Sequence, residues 1–288
     1  MTNSHNAARV TGGDHRLLGA FLGVALPTGW VLLSLPLVLD VPLEPFILAT
    51  LLFGLVAPAL VLSRRDRSTS VRSLLRDTVR LPRPVWLLVP AALLIPVATA
   101  TIGRALGVAT QLSASFLVGL ALANVASSLL VVNLWEEMAW AGFVQRRATA
   151  RWGYVGGAVV VALMFTAVHL PLSLYDADGA GDVAYNIGAM LVSGLGMRLL
   201  IGAFDVWGGG SILALGLIHA TFNASSELVE PSHDWVRYLV TLLLGLGALA
   251  LHMRGGGNGS GETVQPTDAT GTTASSTPAR TTADGGTR

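Results

Sequence analysis

Apolar residues run along this chain in eight long blocks with short polar breaks between them. The blocks are Leu17–Leu39, Leu43–Leu62, Pro84–Leu106, Leu112–Leu134, Tyr154–Leu174, Val183–Phe204, Gly210–Val229 and Trp235–Met253. Each is close to the ~20 residues that a helix needs to cross a bilayer core. The pattern predicts an all-α polytopic membrane protein, a bundle of about eight transmembrane helices. Leu17–Leu39 is too long for the apolar part of a signal peptide, and no small-residue cleavage site follows it, so it reads as an anchoring span. Between the second and third blocks, Ser63–Arg83 holds seven Arg and two Asp. It is expected to form an amphipathic helix on the membrane surface, with a solvated loop as the alternative. Gly255–Arg288 is Gly, Thr, Ser and Ala with almost no large apolar side chain, and is expected to be disordered. There is no internal repeat.

Composition narrows the class further. Of the 288 residues 52% are hydrophobic and only 12% are charged, about half the charge of a soluble domain. The absence of Cys excludes a disulfide scaffold and Cys-ligated zinc or iron–sulfur modules. All 18 cations are Arg and none is Lys, a composition expected of a GC-rich bacterial genome. The net charge of +1 matters less than where the charges fall. Arg9 and Arg16 precede the first block, the seven Arg follow the second, Arg146, Arg147 and Arg151 follow the fourth, and Arg254 follows the eighth. The alternate connections carry Asp40 and Glu44, then Asp176, Asp178 and Asp182, then Glu227, Glu230 and Asp234, with only Arg104 and Arg237 beside them. The positive-inside rule therefore places both termini in the cytoplasm of a multi-pass cell-membrane protein, which agrees with an even number of spans. Trp86, Trp152, Trp207 and Trp235 lie at block boundaries, as interfacial aromatics do.

Ionisable residues inside spans cost a few kcal/mol each and mark functional candidates. Glu136, Glu137, His169, Arg198 and His219 are of this kind, and Asn223 lies one turn after His219. The distances of Glu136, His169 and His219 from their span ends, at ~1.5 Å per residue, allow them to meet near mid-bilayer. Adjacent helical residues point about 100° apart, so Glu136 and Glu137 cannot share one role. His219 and Asn223, at i and i+4, share a face, and so do Phe165 and His169. A buried carboxylate can serve as general base, a His beside it can help to hold the attacking water, and His219 and Asn223 can donate to the oxyanion of a tetrahedral intermediate. This reads as peptide-bond hydrolysis inside the membrane without a covalent nucleophile. Ser211 reads as a helix cap, and neither a dinucleotide fingerprint, a P-loop nor any nucleic-acid-binding feature is present.

Glu136-Glu137, Phe165-x-x-x-His169 and His219-x-x-x-Asn223, with the Trp-x-Gly-Phe run after the Glu pair, resemble the three-motif signature of the CPBP family. These are intramembrane proteases related to the CAAX prenyl endopeptidases and to bacteriocin-processing and immunity proteins. The resemblance implies an eight-helix architecture with an intramembrane active-site cavity. It implies that Glu136 activates water with His169, that His219 and Asn223 form the oxyanion site, and that Glu137 belongs to the same catalytic set. It favours a glutamate mechanism without a cofactor, although a carboxylate and two His can also bind zinc. The expected organisation is a cytoplasmic segment 1–16, a membrane domain 17–254 with its catalytic core at about 112–229, and the tail 255–288. The expected partners are the lipid bilayer and a peptide or membrane-protein substrate, and no nucleic acid. The alternatives are a non-catalytic immunity or scaffold protein of the same family, and a proton-coupled transporter, which would predict an internal repeat.

The chain departs from the family pattern E-E-x-x-x-R at one place, where Ala141 stands in the Arg position. Glu137 then lacks its intrahelical partner. Arg198, six residues before Phe204, is expected to snorkel to the interface about 9 Å away. The alternative is that it supplies Glu137 with the missing charge from a neighbouring helix.

Overall fold

The computed structural model describes residues 14–66, 69–111 and 113–257; Arg9, Arg67 and most of the expected tail lie outside them. Among these residues the structure is helical throughout, without strands, apart from one isolated bridge between Ala109 and Val229. Helix α1 covers Asp14–Leu39 and α2 covers Glu44–Ser63, the latter with a π-helical middle at Thr50–Val56. Helix α3 is Val71–Val79, α4 is Leu88–Ala105 and α5 is Ala114–Ser128. The chain continues from α5 through a π-helical segment at Leu129–Asn133, an α-helical turn at Leu134–Glu137 and a second π-helical segment at Met138–Gln145. Helices α6 (Arg146–His169), α7 (Ala180–Trp207), α8 (Ile212–Ala224) and α9 (Trp235–Gly257) complete the bundle.

The protein is an all-α polytopic membrane protein. Six helical stretches among the described residues are long and apolar enough to cross a membrane, against the eight blocks read from the sequence. Two of the blocks fall within one stretch, Val118–Leu174, which bends sharply at Gly153, where φ is 73°. Trp140 and Phe165 lie on either side of that bend. A straight helix would separate them by ~37 Å, yet their ring centroids are 5.5 Å apart, so the chain has turned back on itself. A residue with a Cβ meets strain at that φ, and glycine does not. The seventh block forms the 13-residue α8, about 20 Å of α-helix, extended by a 3-10 turn at Ser225–Leu228. Ser211 caps α8, its Oγ accepting from the Ala214 backbone N–H at 3.4 Å.

The Arg-rich connection contains a helix, as expected. Ser70 caps α3 through the Ser73 amide, Leu74 and Asp77 face inward, and Leu75 and Val79 face outward. Arg146, the first residue of α6, ties this helix to the bundle. It donates to Asp77 Oδ2 at 3.1 Å, to both oxygens of Asp205 on α7 at 2.8 and 3.1 Å, and to the Gly210 carbonyl at 3.0 Å.

The two largest of four apolar clusters fill most of the interior. Phe21, Leu55, Trp140, Phe143, Val161 and Val168 join α1, α2, the second π segment and α6. Ile95, Ala141, Leu200, Ile201, Leu215 and Ile218 join α4, the same π segment, α7 and α8. Helices α7 and α9 touch backbone to backbone at Gly196 and Gly245, and a Cβ on Gly196 would lie 2.5 Å from Leu242 Cα. Lipid gives helices no hydrophobic reason to associate, so close approach through small residues does this work. Gly196→Ala is therefore expected to lower the melting temperature of the purified protein in detergent, by an overpacking cost of about 1–3 kcal/mol. An unchanged melting temperature would show that α9 can move away without loss.

Candidate active site

Glu136 and Glu137 stand on a single α-helical turn with π-helical backbone on both sides. Such wide turns are rare and collect at functional sites. The turn sits between α6, which supplies His169 from its last residue, α7, which supplies Arg198, and α8, which supplies His219 and Asn223.

Glu137 is fully buried and wholly committed. Arg198 grips it with two hydrogen bonds, Nη1 to Oε2 at 2.8 Å and Nη2 to Oε1 at 2.5 Å. His219 donates from Nδ1 to Oε1 at 2.7 Å. Arg198 itself is 1% exposed. It therefore does not snorkel to the interface as expected: the bidentate geometry and the carboxylate it neutralises hold it inside. The alternative reading is the observed one, and the cation missing at Ala141 is supplied across helices. Ala141 packs instead into the apolar cluster with Leu200 and Ile201.

Glu136 is also buried, at 6% exposure, but it is not held in this way. Its carboxylate accepts no hydrogen bond from any described residue. One oxygen faces His169 Nε2 at 3.5 Å and the other lies 3.9 Å from His219 Nδ1. His169 donates from Nδ1 to the Phe165 carbonyl at 2.8 Å, which turns Nε2 toward Glu136. Phe165 stacks on the His169 ring at 4.2 Å between centroids and carries the Arg198 guanidinium 5.6 Å from its ring centre. A small cavity of about 40 Å³ adjoins His219 and Arg198 and is bordered by Phe165, Ser193, Met197 and Phe222. No three His, Asp or Glu among the described residues are grouped so that they could hold a metal ion.

Residues 118–225 match the family described as type II CAAX prenyl endopeptidase Rce1-like. The match covers 108 of the 288 residues. No curated protein matches the chain. The Rce1-like segment runs from within α5 to the residue after α8, and it contains the five residues that the sequence assigns to a catalytic set, Glu136, Glu137, His169, His219 and Asn223, together with Arg198. The structure brings the first four into direct apposition. Asn223 stands one turn along α8 and donates from Nδ2 to Asn133 Oδ1 at 3.3 Å.

The sequence reading passed over Asn133, which is completely buried within the Rce1-like segment. The available signal was spacing. Asn133 precedes Glu137 by four residues as His219 precedes Asn223 by four, so two helices running in opposite directions can pair both positions.

The role of Arg198 can be measured. Arg198→Ala leaves Glu137 buried without its cation and is expected to destabilise the fold by roughly 3–5 kcal/mol. Adding Ala141→Arg to that variant is expected to restore part of the loss, because it returns a cation to the Glu137 helix. A double-mutant cycle in thermal unfolding checks this, and strictly additive effects would discard the exchange of one Arg for the other.

Proposed function

We propose that this protein is an intramembrane endopeptidase in which Glu136 activates water to hydrolyse a peptide bond. The observation that carries the reading is the contrast within the Glu pair. Glu137 is held by Arg198 and His219, whereas Glu136 receives no hydrogen bond from any described residue and faces the imidazole of His169 at 3.5 Å. Two acceptors turned toward each other suit a water molecule whose hydrogens they share. Glu136 takes one proton as the water oxygen attacks the scissile carbonyl carbon. The tetrahedral oxyanion then receives hydrogen bonds from Asn223 Nδ2 and His219. Glu137 occupies Nδ1 of His219, so that ring donates from Nε2 in its imidazolium form. As the C–N bond breaks, Glu136 returns its proton to the departing amine. Each step uses positioned acid–base and electrostatic groups, which are worth ~10²–10⁴-fold apiece.

The Rce1-like segment supports a CAAX-protease-like activity, and the multi-pass apolar helices support a substrate presented at the bilayer, either a peptide or another membrane protein. The absence of the motif Arg at Ala141 favours a non-catalytic family member. Arg198 weakens that case by giving Glu137 the partner it would otherwise lack. The reading needs no metal, consistent with the engagement of His219 Nδ1 and of both Glu137 oxygens by protein groups. We further place both termini in the cytoplasm on the Arg distribution, and the catalytic core at about 112–229.

Cleavage of a peptide library by the purified protein tests the activity. Glu136→Gln keeps the shape of the side chain and is expected to lower turnover by ~10²–10⁴-fold. A chelator is expected to leave the wild type unaffected. Wild-type cleavage by the Gln variant would remove Glu136 from the role of base, and loss of activity with chelator would call for a metal. Topology is tested separately. Reporter fusions between Arg64 and Arg83 should read cytoplasmic and a fusion near Asp178 external; a cytoplasmic signal near Asp178 would overturn the orientation.

A further inference from the structure

The turn bearing the Glu pair and helix α8 meet in two rungs. In the first, Glu137 receives His219 Nδ1 at 2.7 Å. In the second, one helical turn away, Asn133 Oδ1 receives Asn223 Nδ2 at 3.3 Å. The backbones approach closely enough for a side chain as short as Asn to bridge them, since a Cβ on Gly216 would lie 3.1 Å from Leu134 Cα. Asn133 is 0% exposed, and among the described residues its Nδ2 has no hydrogen-bond partner. Its neighbours Leu129, Leu130, Val131, Val132 and Leu134 are all apolar. A carboxamide in such surroundings is costly unless its hydrogen bonds are used. Asn133 lies outside the three motifs that mark this segment.

We propose that Asn133 is a positioning residue of the same centre: its Oδ1 holds one N–H of the Asn223 carboxamide, which fixes the plane of that amide and leaves the second N–H for the oxyanion of the tetrahedral intermediate. The proposal rests on the proteolytic reading and adds to it what keeps the oxyanion donor in place. A free carboxamide rotates about its terminal torsion, which has broad, roughly two-fold minima. A donor loose by about 1 Å can lose ~10²-fold in rate. The pairing makes a specific statement about dependence: Asn133 acts on catalysis only through Asn223.

The test uses the full chain in detergent with a cleaved library peptide. The variants are Asn133→Ala, Asn223→Ala, the double variant and Asn133→Asp, which keeps the accepting oxygen. Asn133→Ala is expected to lower kcat by about 10²-fold with KM little changed. Asn223→Ala is expected to lower it by ~10²–10³-fold. The double variant should match Asn223→Ala alone, and Asn133→Asp should recover most of the wild-type kcat. Multiplying losses in the double variant, wild-type kcat in Asn133→Ala, or failure of both Asn133 variants to fold would overturn the proposal and leave Asn133 a structural residue. Should the wild type cleave nothing in the library, the proteolytic reading itself fails. Thermal unfolding of the same four chains then judges the Asn pair independently: additive shifts overturn the contact, and non-additive shifts uphold it.

Discussion

A carboxylate sealed inside an apolar helical bundle has to be answered by a cation with matching geometry, and in this protein the answer comes from a different helix. Arg198 on α7 reaches the turn that carries Glu137 and closes a planar, two-point contact with it. Three consequences follow from that one pair. It brings α7 against the π-helical segment that follows the Glu pair. It gives His219 an anionic acceptor and so sets which ring nitrogen faces inward. It also removes Glu137 from competition with Glu136, which is left as the carboxylate open to chemistry. The desolvation of two charges is expensive, and such pairs are weak contributors to net stability. This pair instead ties the turn that bears the Glu pair to α7, and through His219 to α8.

Much of this was legible in the sequence because lipid enforces a simple grammar. Apolar blocks of about 20 residues cannot be much other than helices, and polar residues within them have to meet one another. Glu136, His169 and His219 lie on three separate blocks, and the structure brings the two His within 3.5 and 3.9 Å of the Glu136 carboxylate. What could not be read is what α-helical periodicity conceals. The π-helical segments at Leu129–Asn133 and Met138–Gln145 change which residues share a face, and nothing in their apolar composition announces a wider turn. The bend at Gly153 was not visible as a feature distinct from the break between blocks four and five. Arg198 was ambiguous, because depth from a helix end measures only how far a side chain can escape and not what it finds if it stays.

The two halves of the Glu pair also show how one helical turn can hold opposite environments. Glu137 is enclosed by α7 and α8, while Glu136 looks toward α6 and the end of the Phe165–His169 stack. Phe165 is the shared wall. Its ring stacks on His169 and also lies near the Arg198 guanidinium and His219, so one apolar side chain borders the surroundings of both carboxylates. Backbone irregularity around the pair permits this, since a uniform α-helix on both flanks would fix the rotation of Glu136 and Glu137 relative to the helices they face.

Arg146 has a mechanical meaning beyond its hydrogen bonds. It fastens α3, the end of α7 and the start of α8 at a single point, at the beginning of α6. His169 and Asn223 lie at the opposite ends of α6 and α8. That end is tied as well, by Trp30 donating to the Ala167 carbonyl at 2.7 Å and Arg237 donating to the Phe222 carbonyl at 3.1 Å. The helices that carry His169 and Asn223 are thus clamped at both ends, with Arg146 as the clamp remote from the Glu pair.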